Sequence, residues 1–190
     1  MQRAFKKFTI QSGGTPQPAI GTWITASVNP GSVGGTDFQG ETLTTITVSD
    51  TSMFQEDDYV YIIDANLANP ERCRVTDVFS STSMEVFNMK NSRTGGVFGT
   101  GAFVALSINV NSVYIQTTIG NTGAIYVGLQ GIVKATFKNV IAILQQVTAP
   151  TQPIDFSDSR TFAGPNISQS SDFWVDGTSG DGYLPSLGIV

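Results

Sequence analysis

The chain contains no histidine and a single cysteine, Cys73. Without an imidazole, the Ser-His-Asp and Cys-His nucleophile arrangements are excluded in their usual forms. His-based zinc sites go with them, and one thiol builds neither a cysteine-type metal site nor an intramolecular disulfide. Charge is also scarce. Charged residues make up 13% of the chain, about half the usual share. Basic residues are the rarer kind, with 10 Lys and Arg against 15 acids and a net charge of −5. Their only tight group, Arg3, Lys6 and Lys7, reads as a solvated terminus. A chain without a basic stripe is not expected to hold DNA or RNA, whose phosphates need cations to displace their counterions. No apolar run is long enough for a membrane-spanning helix, and residues 1–10 lack the apolar stretch of a secretory signal, so no membrane association is expected. No GxxxxGK[ST] loop and no GxGxxG in a βαβ setting are present. On these absences the chain is expected to be neither an enzyme nor a cofactor carrier.

What is present is β-branched, glycine-rich and turn-rich. Hydrophobic residues make up 40% of the 190, enough for packed cores, and the length suits one large domain or two small ones. A sparsely charged chain rich in Thr, Ser, Gly and Val suits a protein whose surface is partly covered by neighbours. Alternating segments separated by turn clusters predict strands over 5–10, 20–28, 43–48, 59–63, 72–79, 84–88, 102–106, 108–118, 124–128, 173–175 and 183–190. Cys73 alternates with Arg72 and Arg74 on one of these and reads as a small buried hydrophobe. The stretch 132–144 is ambiguous. Its apolar positions Ile132, Val133, Phe137, Val140, Ile141 and Leu144 fit a helical face about as well as two short strands; strands with a turn at Lys138-Asn139 are preferred. Residues 29–42 read as a long loop, as does the Pro- and Gln-containing stretch from Pro150 through Pro153. The expected fold is all-β: an N-terminal extended arm plus a small β-barrel-like domain over 1–106, then a β-sandwich domain over 107–190.

Three pieces carry a resemblance. The first is Thr15-Pro16-Gln17-Pro18 followed by Ile20-Gly21-Thr22. The second is Ile46-Thr47-Val48-Ser49-Asp50-Thr51-Ser52-Met53-Phe54, then Asp58-Tyr59-Val60-Tyr61-Ile62, then Arg72 to Val78. The third is Gly120-Asn121-Thr122-Gly123-Ala124-Ile125-Tyr126-Val127-Gly128, with Phe173-Trp174-Val175-Asp176-Gly177-Thr178 and Gly180-Asp181-Gly182. Together they cover about half of the chain, and they resemble virion structural proteins of tailed bacteriophages. The second piece looks like a repeated pattern of strand, turn with a plugging aromatic, a Gly-Asp-hydrophobic strand and a returning strand. Asp57 stands where that pattern usually has Gly, so the turn differs there or the fit is looser. The resemblance implies an accessory protein in the virion, made in the host cytoplasm and bound to capsid, neck or tail proteins, with homo-oligomers expected. It carries over no catalytic residue, because the matching positions are turn and core residues.

Other chemistry is weighed against plainer causes. The acidic clusters Glu56-Asp57-Asp58, Asp155 with Asp158, and Asp172, Asp176 with Asp181 could supply a carboxylate pair for glycoside hydrolysis. The last trio could also hold Ca²⁺. Asp at β-turns, where it bonds nearby backbone amides, is the preferred explanation for each. Trp174 reads as core, whereas Trp23 is left open as part of a sugar-binding aromatic row. The candidate contact residues are Thr15, Pro16, Gln17, Pro18, Trp23, Pro150 and Pro153, within or near loops at 13–18, 31–40 and 150–170 that are expected to order on assembly.

Overall fold

The structure, a computed structural model, describes residues 2–28, 43–64, 70–89, 98–145, 158–163 and 169–190. In chain order its strands are β1 (Gln2–Ala4), β2 (Phe8–Thr9), β3 (Gln17–Pro18), β4 (Gly21–Trp23), β5 (Leu43–Thr47), β6 (Tyr59–Ile63), β7 (Glu71–Ser80), β8 (Ser83–Asn88), β9 (Phe103–Leu106), β10 (Val110–Thr117), β11 (Ile125–Val133), β12 (Lys138–Leu144), β13 (Ser159–Ala163), β14 (Phe173–Asp176) and β15 (Gly182–Ile189). The one helical element among the described residues is the short 3₁₀ turn Ser170–Asp172. The fold is all-β. The chain divides into two compact units, one formed by 1–19 with 109–190 and the other by 20–108.

The contiguous unit, 20–108, is one antiparallel six-stranded sheet in the order β4-β9-β6-β7-β8-β5. Period-two patterning decides which side chains go inside. On β7, Cys73 and Val75 are buried while Arg72 and Arg74 are not. On β5, Thr44 and Ile46 are buried while Thr45 and Thr47 face solvent. The sheet curls into a half-barrel, and its two edges meet at one end. There Ile24 bridges Val48, the Thr25 N–H donates to Thr47 O at 2.9 Å, and the Ser49 N–H donates to Trp23 O at 2.9 Å. Curling gives the inward side chains a common core, in which Ile46, Val60, Ile62, Met84, Val86 and Leu106 are fully buried. The unit's two ends lie side by side, since Gly21 pairs with Ala105 and the Leu106 N–H donates to Ile20 O at 3.0 Å. Asp57 enters β6 in the left-handed region, with φ 68°. That is the conformation glycine adopts most freely and Asp tolerates better than most residues. Asp57 thus takes the backbone shape that glycine would supply at this position.

The second unit holds two antiparallel sheets. One has the order β1-β15-β10-β13, with β2 also on β15; the other has the order β12-β11-β14-β3. They meet in a sandwich-like manner. Phe162 of β13 lies 5.5 Å from Phe173 of β14, and the Gln17 amide of β3 donates to the Tyr183 hydroxyl of β15 at 3.1 Å. The division expected at 106/107 put the first nineteen residues with the N-terminal domain. Here they pack with 109–190, because β1 and β2 extend one sheet and β3 edges the other. Unit 20–108 is therefore an insertion in the chain of the sandwich-like unit. The ambiguous stretch 132–144 is strand, turn and strand, with the turn at 134–137 rather than 138–139. Within the stretch read as a loop, Ser159–Ala163 forms β13 on the edge of β10.

Candidate interaction site

The β11–β12 hairpin is where apolar side chains reach solvent. Among the described residues, eight large hydrophobic side chains are exposed, and Leu129, Val133, Phe137 and Ile141 on this hairpin are four of them. Their exposure has a local cause. The pairing runs regularly from Ile125↔Leu144 to Val127↔Ala142, then shifts at Gly128↔Val140 and again before Val133↔Lys138. The first shift passes over Ile141 on β12, the second bulges β11 between Gly128 and Val133, and a bulge redirects the side chains it carries. The Asn139 amide pins the bulge by donating to Gln130 O at 2.7 Å. Gly131 (φ 77°) and Asn139 (φ 57°) supply the left-handed backbone it needs. Gly128 must lack a side chain, because a Cβ there would overlap the Asn139 carbonyl. At the tip, Phe137 sits at φ 55° with its side chain 59% exposed and its ring tilted against Tyr126 at 6.5 Å.

Beside the bulge lies an open cleft of about 730 Å³, lined by Leu129, Gln130, Asn139 and Ile141 of the hairpin, by Phe173 of the neighbouring strand β14 and by Phe162 of β13 in the other sheet. Thr161, Ser171 and Asp172 add polar atoms to its rim. β12 and β13, the edge strands of their sheets, each contribute to the wall, so the cleft marks the place where the two sheets part. Its size and mixed lining suit an apolar or mixed ligand or a protruding side chain.

Of the acidic residues singled out in the sequence, Asp58, Asp176 and Asp181 are fixtures of the fold, and Asp155 lies outside the described residues. Asp181 is buried and accepts from the Thr122 N–H at 2.7 Å, the Thr122 hydroxyl at 3.0 Å and the Gly123 N–H at 2.9 Å, which locks the 120–123 turn. Asp176, also buried, accepts from the Gly14 N–H at 3.0 Å and the Gly177 N–H at 2.7 Å, with Lys134 Nζ 3.5 Å away. Asp58 caps its own turn by accepting from the Gln55 N–H at 2.8 Å. No cluster of three metal-ligating side chains occurs among the described residues. Burial, reinforced by the charge of Glu71, pushes the Cys73 thiol up to about 12, so it stays protonated and unreactive. Burial also raises Tyr183, partly opposed by its bond to Gln17.

The candidate contact residues separate into three groups. Thr15 is exposed, and Pro16 and Trp23 are half-buried, with the Trp23 ring 5.4 Å from Phe103. Gln17 and Pro18 are buried in the sandwich-like unit, where Gln17 also accepts from the Gln11 N–H at 3.0 Å. Pro150 and Pro153, with the loop at 31–40, lie outside the described residues. Trp174 is buried, as expected of a core residue. Sequence reasoning missed the hairpin as a surface. A signal was present in 132–144, where apolar residues occupy both strand parities although only one face of a strand can reach a single core. Neither a family model, a curated protein nor a solved structure matches the chain.

Proposed function

We propose that this chain is a non-enzymatic structural component of a tailed-bacteriophage particle, an accessory protein bound to the capsid by protein–protein contacts. In finer terms the half-barrel unit serves as a small β-barrel-like domain and the other as a β-sandwich, each a rigid body presenting surfaces to neighbours. The observation that carries this reading is the hairpin, which concentrates exposed apolar side chains in a chain that is only 13% charged. Such a patch is characteristic of surfaces covered in an assembly. Thr15, Pro16 and Trp23 offer further exposed or half-exposed contacts. Partners are other virion proteins and copies of this chain; nucleic acid, membrane and cofactors have no place in the proposal.

The cleft favours a second reading, a neck or tail module that binds host glycans, with Asn139 and Asp172 as hydrogen-bonding groups and Phe162 and Phe173 as apolar wall. The test is copy number, by quantitative mass spectrometry of purified particles normalised to the major shell protein. A ratio near one, or a simple fraction of one, supports capsid decoration. A much lower ratio moves the chain to the neck or tail, and absence from particles sinks the virion reading altogether.

A further inference from the structure

The outer face of the β1-β15-β10-β13 sheet is built from hydroxyl, amide and small side chains. Period two sends Val113, Ile115 and Leu187 into the core and their neighbours outwards. On the outward side Ser112 lies between Gly188 and Ala163, and Tyr114 between Ser186 and Thr161. Gln2 and Ala4 continue these two rows on β1, opposite Gly188 and Ser186. None of these residues is charged. Arg3 and Arg160 take the opposite parity, and Lys7 lies against Gly182 at the start of β15. In the middle of the face is a hollow of about 450 Å³, lined by Gln2, Ser112, Tyr114, Thr161, Ser186 and Gly188. Its parts are held in place. The Tyr114 hydroxyl donates to Gln116 Oε1 at 3.0 Å, and the Ser112 hydroxyl donates to Asn111 Oδ1 at 3.2 Å. Gly188 has no room for a Cβ, which would overlap Asn111 Oδ1 and Ser112 Oγ.

We infer that this hollow is a binding site for a neutral saccharide, with the Tyr114 ring against a sugar face and the surrounding hydroxyls and amide bonding the sugar hydroxyls. Chemistry sets the other occupants aside. A nucleic acid needs cations for its phosphates, and the lining has none. An anionic glycan makes the same demand. A protein interface gathers aromatic, Met and Arg side chains at its centre, whereas Gly and Ser surround the one aromatic here. Ser and Thr hydroxyls and the Gln amide each donate and accept, as a sugar hydroxyl does. Tyrosine adds an apolar body with a polar tip. The bonds that already fix Tyr114 and Ser112 leave less for binding to order. The inference rests on the glycan-binding reading given second above, and moves its site from the cleft beside β12 to the outer face of the other sheet.

The test is binding of the labelled full chain to a printed array of neutral and anionic bacterial polysaccharides, with three variants. Ser186→Lys sends a long cation into the hollow from a half-exposed outward position. Tyr114→Ala removes the aromatic wall, and Leu129→Lys alters the cleft instead. Wild type should hold neutral glycans and leave those that bear uronate or phosphate. Ser186→Lys and Tyr114→Ala should each weaken that binding by about tenfold or more. Ser186→Lys should keep the wild-type melting profile, and Leu129→Lys should bind as wild type does. Binding that survives Ser186→Lys would overturn the inference. So would binding lost in Leu129→Lys alone, which would return the glycan to the cleft and leave the glycan reading standing. A preference for the anionic polysaccharides would overturn the inference alone. A wild type that holds no glycan of either kind would overturn the glycan reading with it.

Discussion

The two units hold their buried polar groups in different ways. In the half-barrel unit the bonds are short in sequence: Asp58 to Gln55 spans 3 residues, Thr22 to Ser49 spans 27 and Thr51 to Ser80 spans 29. In the sandwich-like unit short bonds such as Gln11 to Gln17, 6 residues apart, stand beside far longer ones: Gly14 to Asp176 spans 162 residues, Gln17 to Tyr183 spans 166 and Thr122 to Asp181 spans 59. Loop-closure entropy makes such distant contacts slow to form. The contrast implies an order of folding. The inserted unit can complete itself from one contiguous segment, whereas its host waits for the first nineteen residues and the last eighty-two to meet.

The largest expected effect comes from breaking that dependence. Removing 1–18 strips β1 and β2 from one sheet and β3 from the other, and with them the buried Phe8, Ile10 and Gln17. We expect the sandwich-like unit to lose cooperative unfolding while 20–108 keeps its own transition. Calorimetry showing both transitions intact would refute the dependence. Next is Asp181→Ala, which leaves two backbone N–H groups and a hydroxyl without their acceptor. A loss of about 3 kcal/mol is expected, confined to the sandwich-like transition in urea unfolding.

A smaller effect separates the units by pH. The Cys73 proton is held in the folded half-barrel to about 12, against 9.0 for a free thiol. Below about pH 9 both states keep the proton and the stability is constant. Above it the unfolded chain ionises first, so stability falls as pH rises towards about 12, by about 1 kcal/mol at about pH 10. Tyr183 acts in the same direction on the other unit, starting from the higher free value of 10.0. Alkaline denaturation followed by separate probes should therefore reach the half-barrel first, and Cys73→Ser should delay it. The smallest effect is at Asp57→Gly. Relief of the left-handed backbone should slightly outweigh the lost exposed pair with Arg74, for a gain of about 0.5 kcal/mol in the half-barrel alone.

The strands were legible wherever alternation met a turn cluster, as at Tyr59–Ile63, Val110–Thr117 and Gly182–Ile189. Three features were not. The hairpin resembled a helical face because its bulge and four-residue turn break the period of two, which sets Ile132, Val140 and Leu144 at helix-like intervals. Its turn was misplaced because Asn139, a common turn residue, instead serves within β12 by pinning the bulge. The membership of 1–19 was hidden because β3 is two residues long and its partner β14 lies more than 150 positions away. Propensity cannot report a pairing of that range. The acidic clusters were read correctly as turn fixtures at Asp176 and Asp181, since Asp beside Gly in a Gly-rich turn has backbone amides to accept from.

The adjacency of Ile20 and Leu106 has an evolutionary and practical corollary. A body that is entered and left through one pair of neighbouring strands makes little demand on its host beyond a gap the width of a hairpin. The 89 residues of the half-barrel behave as a cassette. Another fold whose termini adjoin in the same way meets the same condition for insertion at this point of the chain.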